Sequence, residues 1–154
     1  MKDVVWITHD ENWNGGSATL GIEFNKILGV KTLFNSKETT TKQISTYKNA
    51  EDLKSMLYEI KPKIILFFLA PVRDFNNHKN FFDVIFEMQE KLKTKIIAVN
   101  CTRKGDFIIK NNHKVQEEFS KIFTGKFDCI WSLAEEGREY WEQYTKEYII
   151  IDIN

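Results

Sequence analysis

The residues best suited to chemistry in this chain fall in four short polar stretches: "HDENWNGGS" (9–17), "PVRDFNNH" (71–78), "NCTRKGDF" (100–107) and "AEEG" (134–137). In the first, Gly15 and Gly16 tolerate positive φ angles and let bare backbone approach a ligand. The amides that follow, around Ser17 and Ala18, are unpaired donors at the positive end of a helix dipole if a helix begins there. A phosphate or carboxylate is stabilised by such a turn, which makes Asn14, Gly15, Gly16 and Ser17 the candidate ligand-binding residues. The same residues also suit a plain strand-to-helix turn in which Ser17 is the cap. The turn is neither the G-x-G-x-x-G fingerprint nor a P-loop with its Lys-Ser/Thr pair, which argues against an NAD-type site and an NTPase. Gly21, one turn further on, suits close packing of helix on sheet.

The other stretches add charged and aromatic candidates. Arg73, Asp74 and His78 form a set able to bind sugar hydroxyls or to act as acid or base, although His78 also fits a helix start with no chemical role. Arg103 and Lys104 could clamp an anion, with Arg103 the better bidentate partner; as charges of a solvated loop they would do nothing specific. Trp13 lies in a polar stretch and can stack on a ring or fold down onto the sheet. Trp6, Trp131 and Trp141 follow strand or helix periodicity and are expected in the core. Cys101 and Cys129 make no metal-type spacing with His9, His78 or His113, so reduced thiols and no metal are expected. No Ser-His-Asp order, Cys-x-x-Cys or nucleophile elbow is present, which disfavours an autonomous hydrolase or metalloenzyme.

These stretches must be positioned by the elements between them. Short β-branched and aromatic runs predict six strands at 3–8, 30–34, 63–70, 95–100, 127–133 and 147–153. Several are apolar on both faces, as a strand covered by helices on each side requires. Between them, apolar residues recur at helical spacing: Leu20, Phe24, Ile27 and Leu28; Leu53, Met56, Leu57 and Ile60; Phe81, Ile85, Met88 and Leu92; then Val115 to Phe123 and Tyr140 to Tyr144. Pro62 ends the second helix and launches the third strand. The alternation predicts a single doubly wound, Rossmann-like α/β domain over 1–154, with a mainly parallel six-stranded sheet flanked by helices and the strand order 3-2-1-4-5-6. The polar, Thr-rich run "NSKETTTKQISTYKNA" (35–50) reads as a surface loop or a ragged short strand. In sheets of this kind ligands bind beyond the carboxyl ends of the strands, which is where the four polar stretches fall.

Composition narrows the partners. The 154 residues fit one domain, and Lys plus Arg equals Asp plus Glu at 22 each, so net charge predicts neither nucleic acid nor an anionic membrane as partner. No apolar run approaches the roughly 20 residues of a membrane span, and "MKDVVWITHD" lacks the apolar segment of a secretory signal. A soluble, cytoplasmic protein is expected.

With the strands placed, the chain resembles the N-terminal, acceptor-side Rossmann-like domain of GT-B glycosyltransferases, particularly the retaining family-four group. The opening "VVWITHDENWNGGSATLGIEFNKIL" has that family's strand, loop, Gly-Gly turn and long helix. "FDCIWSLAEEGREYWEQY" is similar to its late strand followed by Ser and Glu, here Ser132 and Glu135, leading into a helix. "EYIIIDIN" is similar to the strand that runs into its interdomain linker. The resemblance implies that Gly15 and Gly16 approach the diphosphate of a nucleotide-sugar donor, and that Arg73, Asp74, Arg103 and Lys104 lie near an acceptor, with Glu135 a further acceptor-side candidate. "VNCTRKGD" has no His where many members place one after the fourth strand. The resemblance also implies a C-terminal nucleotide-binding domain or partner subunit beyond this chain, without which little transferase activity is expected. The alternatives are a stand-alone Rossmann-like module that binds a small anion or nucleotide or serves protein interaction, and a flavodoxin-like carrier, which would need a flavin. No cofactor is expected under the leading reading.

Overall fold

The computed structural model describes residues 3–8, 23, 26–27, 31–34, 44–68, 79–100, 117, 120–121, 123–132, 135 and 138–151. The chain forms two compact units, one of Met1–Phe67 with Asn80–Lys95 and one of Phe68–Lys79 with Ile96–Asn154.

The first unit is built on β1 (Val4–Thr8), β2 (Lys31–Phe34), β3 (Ile44–Thr46) and β4 (Ile64–Phe68), with helices α1 (Ala50–Ile60) and α2 (Lys79–Leu92). The strands run in the order β3-β2-β1-β4, all parallel. Val4 to Ile7 of β1 are buried throughout, as a strand covered on both faces must be, and they align with Ile64 to Phe67 of β4.

The sequence-based strand order needs one correction. The run 63–70 was expected beyond the second strand, but β4 pairs directly with β1. The place next to β2 is taken by β3, with Thr32 opposite Ile44 and Phe34 opposite Thr46. Three residues are too few to show an alternating pattern, so β3 surfaced in the sequence only as the ragged-strand option for 35–50. The doubly apolar "IILFF" belongs inside a sheet rather than at its edge.

Local signals set the helix ends. Asn49 caps α1, accepting from Asp52 N at 2.8 Å, while Asp52 Oδ2 accepts from Lys48 N at 2.9 Å. The helix stops at Lys61, which is left-handed at φ 50 and donates from N to Leu57 O, and Pro62 follows as expected. Thr94, a buried polar residue, donates through Oγ1 to Pro62 O at 2.8 Å. On α2, Phe81, Ile85 and Met88 are buried as their spacing predicts. Phe81 stacks on Tyr47 at 6.5 Å and Phe82 meets Phe67 edge-on at 5.8 Å. Ile27 departs from expectation: it is helical but 75% exposed, on the same stripe as Glu23, which pairs with Lys26 at 3.0 Å. Residues 23 and 27 are one helical turn apart, so they face the same way.

The second unit contains β5 (Lys95–Asn100, from Ile96 onward), β6 (Phe127–Ser132), a single helical turn α3 (Arg138–Trp141), a 3-10 turn (Glu142–Tyr144) and β7 (Thr145–Ile150). The order is β5-β6-β7, again parallel. Gly125, at φ 68, makes the turn into β6 and donates to Gln143 O at 3.2 Å. Phe123 stacks on Phe127 at 5.6 Å, and Trp141 and Tyr144 are fully buried. The predicted helix around Tyr140 is thus one α-turn completed by a 3-10 turn, and the last strand begins at Thr145 rather than 147. Trp6 and Trp141 are core residues as expected, and Trp131 is half-buried. Parallel strands joined by helical crossovers make this a Rossmann-like α/β protein, with seven strands among the described residues.

Candidate ligand edge

In the first unit the chain moves outward from β1 in one direction to β2 and β3, then returns to lay β4 on the other side of β1. That reversal is a topological switch point, and in open parallel sheets ligands bind outside the carboxyl ends of the strands at such a point. The last residue of β1, Thr8, aligns with Phe34 of β2, and the Gly-Gly stretch begins with the next residue in the chain. Trp13, Asn14, Gly15, Gly16 and Ser17 lie outside the described residues, as do Arg73, Asp74, His78, Arg103 and Lys104.

In the second unit the carboxyl ends of β5 and β6 are described. Asn100 and Ser132 close these strands, align with each other, and are 1% and 2% exposed. Both are engaged within the protein. Beyond β6 comes Glu135, the one sequence-derived candidate among the described residues. It is exposed, and its Oε1 accepts from Arg138 Nη1 at 3.0 Å. Arg138 also approaches Glu142 at 3.4 Å and lies over the Tyr148 ring at 5.3 Å. Glu135 is thus tied to a cation held between two carboxylates and an aromatic face. Sequence reasoning passed over Arg138, although its i,i+3 and i,i+4 spacing from Glu135 and to Glu142 is a legible sign of such pairing. It placed Asn100 at the junction of a strand with the polar stretch 100–107 and Ser132 at the end of the late strand, but did not pair the two across the sheet.

Two further clusters lie elsewhere. Glu87 on α2 accepts from Tyr58 Oη and Lys54 Nζ of α1, each at 3.0 Å, and from Lys91 Nζ at 3.5 Å. The hydrogen bond from Lys54, then that from Tyr58, holds the Glu87 carboxyl below its ordinary range. Lys54 is pushed up by the same bond, and Tyr58 is pushed up by burial and by Glu87. Every group is thereby held in its resting protonation state, which suits a tie between helices and not a proton shuttle. Cys129 is a buried free thiol, pushed up by burial and by the nearby Glu147, the opposite of nucleophile activation. Among the described residues no group of His, Cys, Asp and Glu could hold a metal ion, and no helix is long and apolar enough to cross a membrane.

No family model matches the chain, and no curated protein does. Solved structures that match include a probable 2-hydroxyacid dehydrogenase from Rhizobium etli in complex with NADP, HEPES and L(+)-tartaric acid. It is 12% identical, with a TM-score of 0.43 over 97% of this chain and 44% of that one. The present chain thus spans less than half the length of that protein.

Proposed function

We propose that this chain binds a phosphate-bearing ligand through the Gly15-Gly16 stretch, as the acceptor-side domain of a glycosyltransferase whose donor is a nucleotide sugar. The observation that carries the reading is the position of β1: it is the inner strand at the switch point of its unit, and the stretch follows directly on its last residue. Glycine there allows close backbone approach, and backbone amides offer fixed donors to a diphosphate oxygen. The nucleotide-sugar assignment rests on the order of sequence features: the Gly-Gly stretch after β1, Ser132 at the end of the late strand β6, and Glu135 beyond it. In this reading Trp13, which can stack on a ring, serves the acceptor side together with Arg73, Asp74, His78, Arg103, Lys104 and Glu135. Backbone donors and cations would stabilise charge developing on the leaving diphosphate.

The position of β1 equally favours a second reading, a stand-alone module that binds a small anion or nucleotide without catalysis. One experiment tests the shared step and separates the two. The chain is titrated calorimetrically with nucleotide sugars, free nucleotides and inorganic pyrophosphate, and the series is repeated with Gly16→Val. Binding that weakens at least about tenfold in the variant, the loss of one well-placed charge-assisted contact, supports the phosphate site. Preference for nucleotide sugars over the parent nucleotides favours the transferase reading, and equal affinity favours the module. Phosphate binding that Gly16→Val leaves unchanged overturns the assignment of the stretch.

A further inference from the structure

The two helices of the first unit end in the same way. α1 runs into "IKPKI" (60–64) and α2 into "LKTKI" (92–96), so a Lys-x-Lys triplet follows each helix. Lys61 and Lys93 are the two non-glycine residues with positive φ among the described residues, at 50 and 58. At a helix end that conformation suits Gly or Asn, and a Lys adopts it at a cost. The triplets lie side by side: Thr94 Oγ1 donates to Pro62 O and Lys95 N to Lys63 O, each at 2.8 Å. Four lysines, Lys61, Lys63, Lys93 and Lys95, are thereby gathered where the helices end, all within the first unit and all exposed. A cation just past a helix offsets the partial charge of its last carbonyls, which accounts for one Lys per triplet. That effect fades within a turn and leaves Lys63 and Lys95, and the mutual repulsion of the four, unexplained.

We propose that this basic rim is a docking surface for an acidic segment of a partner protein, a run of Asp and Glu side chains. Asp3 shows the contact on a small scale: its carboxylate lies 3.4 Å from Lys63 Nζ, with both side chains well exposed. A partner carboxylate can take the same place. Lysine presents a compact charge without the fork that reads phosphate, and neither triplet holds an aromatic side chain on which a base could stack. A run of carboxylates therefore suits the rim better than nucleic acid. The balanced net charge of the chain hides this edge, because it sums over every surface.

The test is a titration of the isotope-labelled full chain with a hexaglutamate peptide, with duplex DNA and with phosphatidylglycerol vesicles, at low salt and equal concentrations of anionic groups. NMR reads the backbone amides of Lys61, Lys63, Lys93 and Lys95. The peptide is expected to give saturable shifts there that vanish at about 1 M salt, where the Debye length is about 3 Å. Lys61→Gln combined with Lys93→Gln should weaken peptide binding about fivefold, the loss of two exposed ion pairs. Asp3→Asn, which removes the competing carboxylate, should strengthen it about twofold. Lys48→Gln, at the other end of α1, should leave it unchanged. Lys61→Gly separates docking from capping: it relieves the positive φ, so Tm should hold or rise while peptide binding weakens. No saturable rim shift with the peptide, tighter binding of DNA or vesicles, or peptide affinity untouched by the double variant would overturn the proposal. So would a lower Tm for Lys61→Gly with peptide binding unchanged.

Discussion

In the first unit the central strand β1 is apolar through Ile7, with Val5, Trp6 and Ile7 fully buried, whereas in the second unit β5 and β6 finish on Asn100 and Ser132, polar side chains buried almost as deeply. The contrast separates two ways of building a ligand edge. Where the strand is apolar up to its last residue, Thr8, its body acts as scaffold for the chain that follows. Where the strands end in buried hydrogen-bonding groups, those groups sit on a rigid element whose geometry the sheet already fixes. The helices differ in parallel. α1 and α2 are long and joined through Glu87, while α3 is one turn whose Arg138 is held by Glu135, Glu142 and Tyr148.

The largest effect should come from the scaffold strand. Trp6→Ala removes the largest fully buried side chain among the described residues of the first unit and should cost about 3–5 kcal/mol in urea unfolding, from lost transfer energy and the cavity left behind. A cost under about 1 kcal/mol would mean that β1 is not the core that its burial implies. Next in size is the start of α1. Asn49→Ala removes the side-chain acceptor for Asp52 N and should cost about 1 kcal/mol, with Asn49→Ser restoring most of it. If Ser gives no rescue, the cap is not what starts the helix.

How much of this was legible in the sequence follows from the same contrast. β1, β5 and β6 were found within a residue or two because their β-branched and aromatic runs are continuous, and the heptad-like spacing of Phe81, Ile85 and Met88 placed α2. The position of β4 was misjudged for a physical reason: order within a sheet depends on which strands need cover on both faces, and β3 was too short to be counted. Ile27 was assigned to a buried face because an apolar residue at helical spacing cannot, by its spacing alone, be told from one on the solvent side. Of the candidate site, Glu135 was visible, and its i,i+3 spacing to Arg138 was legible too, but spacing alone does not say whether Glu135 or Glu142 engages that cation more closely. Asn100 and Ser132 stand out only when register aligns them across two strands 32 residues apart in the chain.

A smaller effect is expected at the tie between α1 and α2. Glu87→Gln keeps an acceptor for Tyr58 and loses the charge that Lys54 and Lys91 face, so Tm should fall by a few degrees at neutral pH. Because the folded carboxyl is held below its ordinary value of 4.5, its contribution is complete above that value and is lost as pH falls through the lower folded value. The difference in Tm between wild type and variant should therefore be constant from neutral pH down to about 5 and shrink below about 4.5. A gap that persists unchanged at lower pH would show that packing, not charge, joins the helices.

The smallest effect should be at the far edge of the second unit. Ile149 aligns with Trp131 of β6, yet 44% of it is exposed, so Ile149→Thr gives up little buried area and keeps a β-branched side chain in an edge strand. Its unfolding free energy should stay within about 0.5 kcal/mol of wild type, against several for Trp6→Ala. The pair of measurements asks whether exposure in β7 and burial in β1 describe the protein in solution. A loss above about 1 kcal/mol at Ile149 would mean that this face of the edge strand is covered in solution.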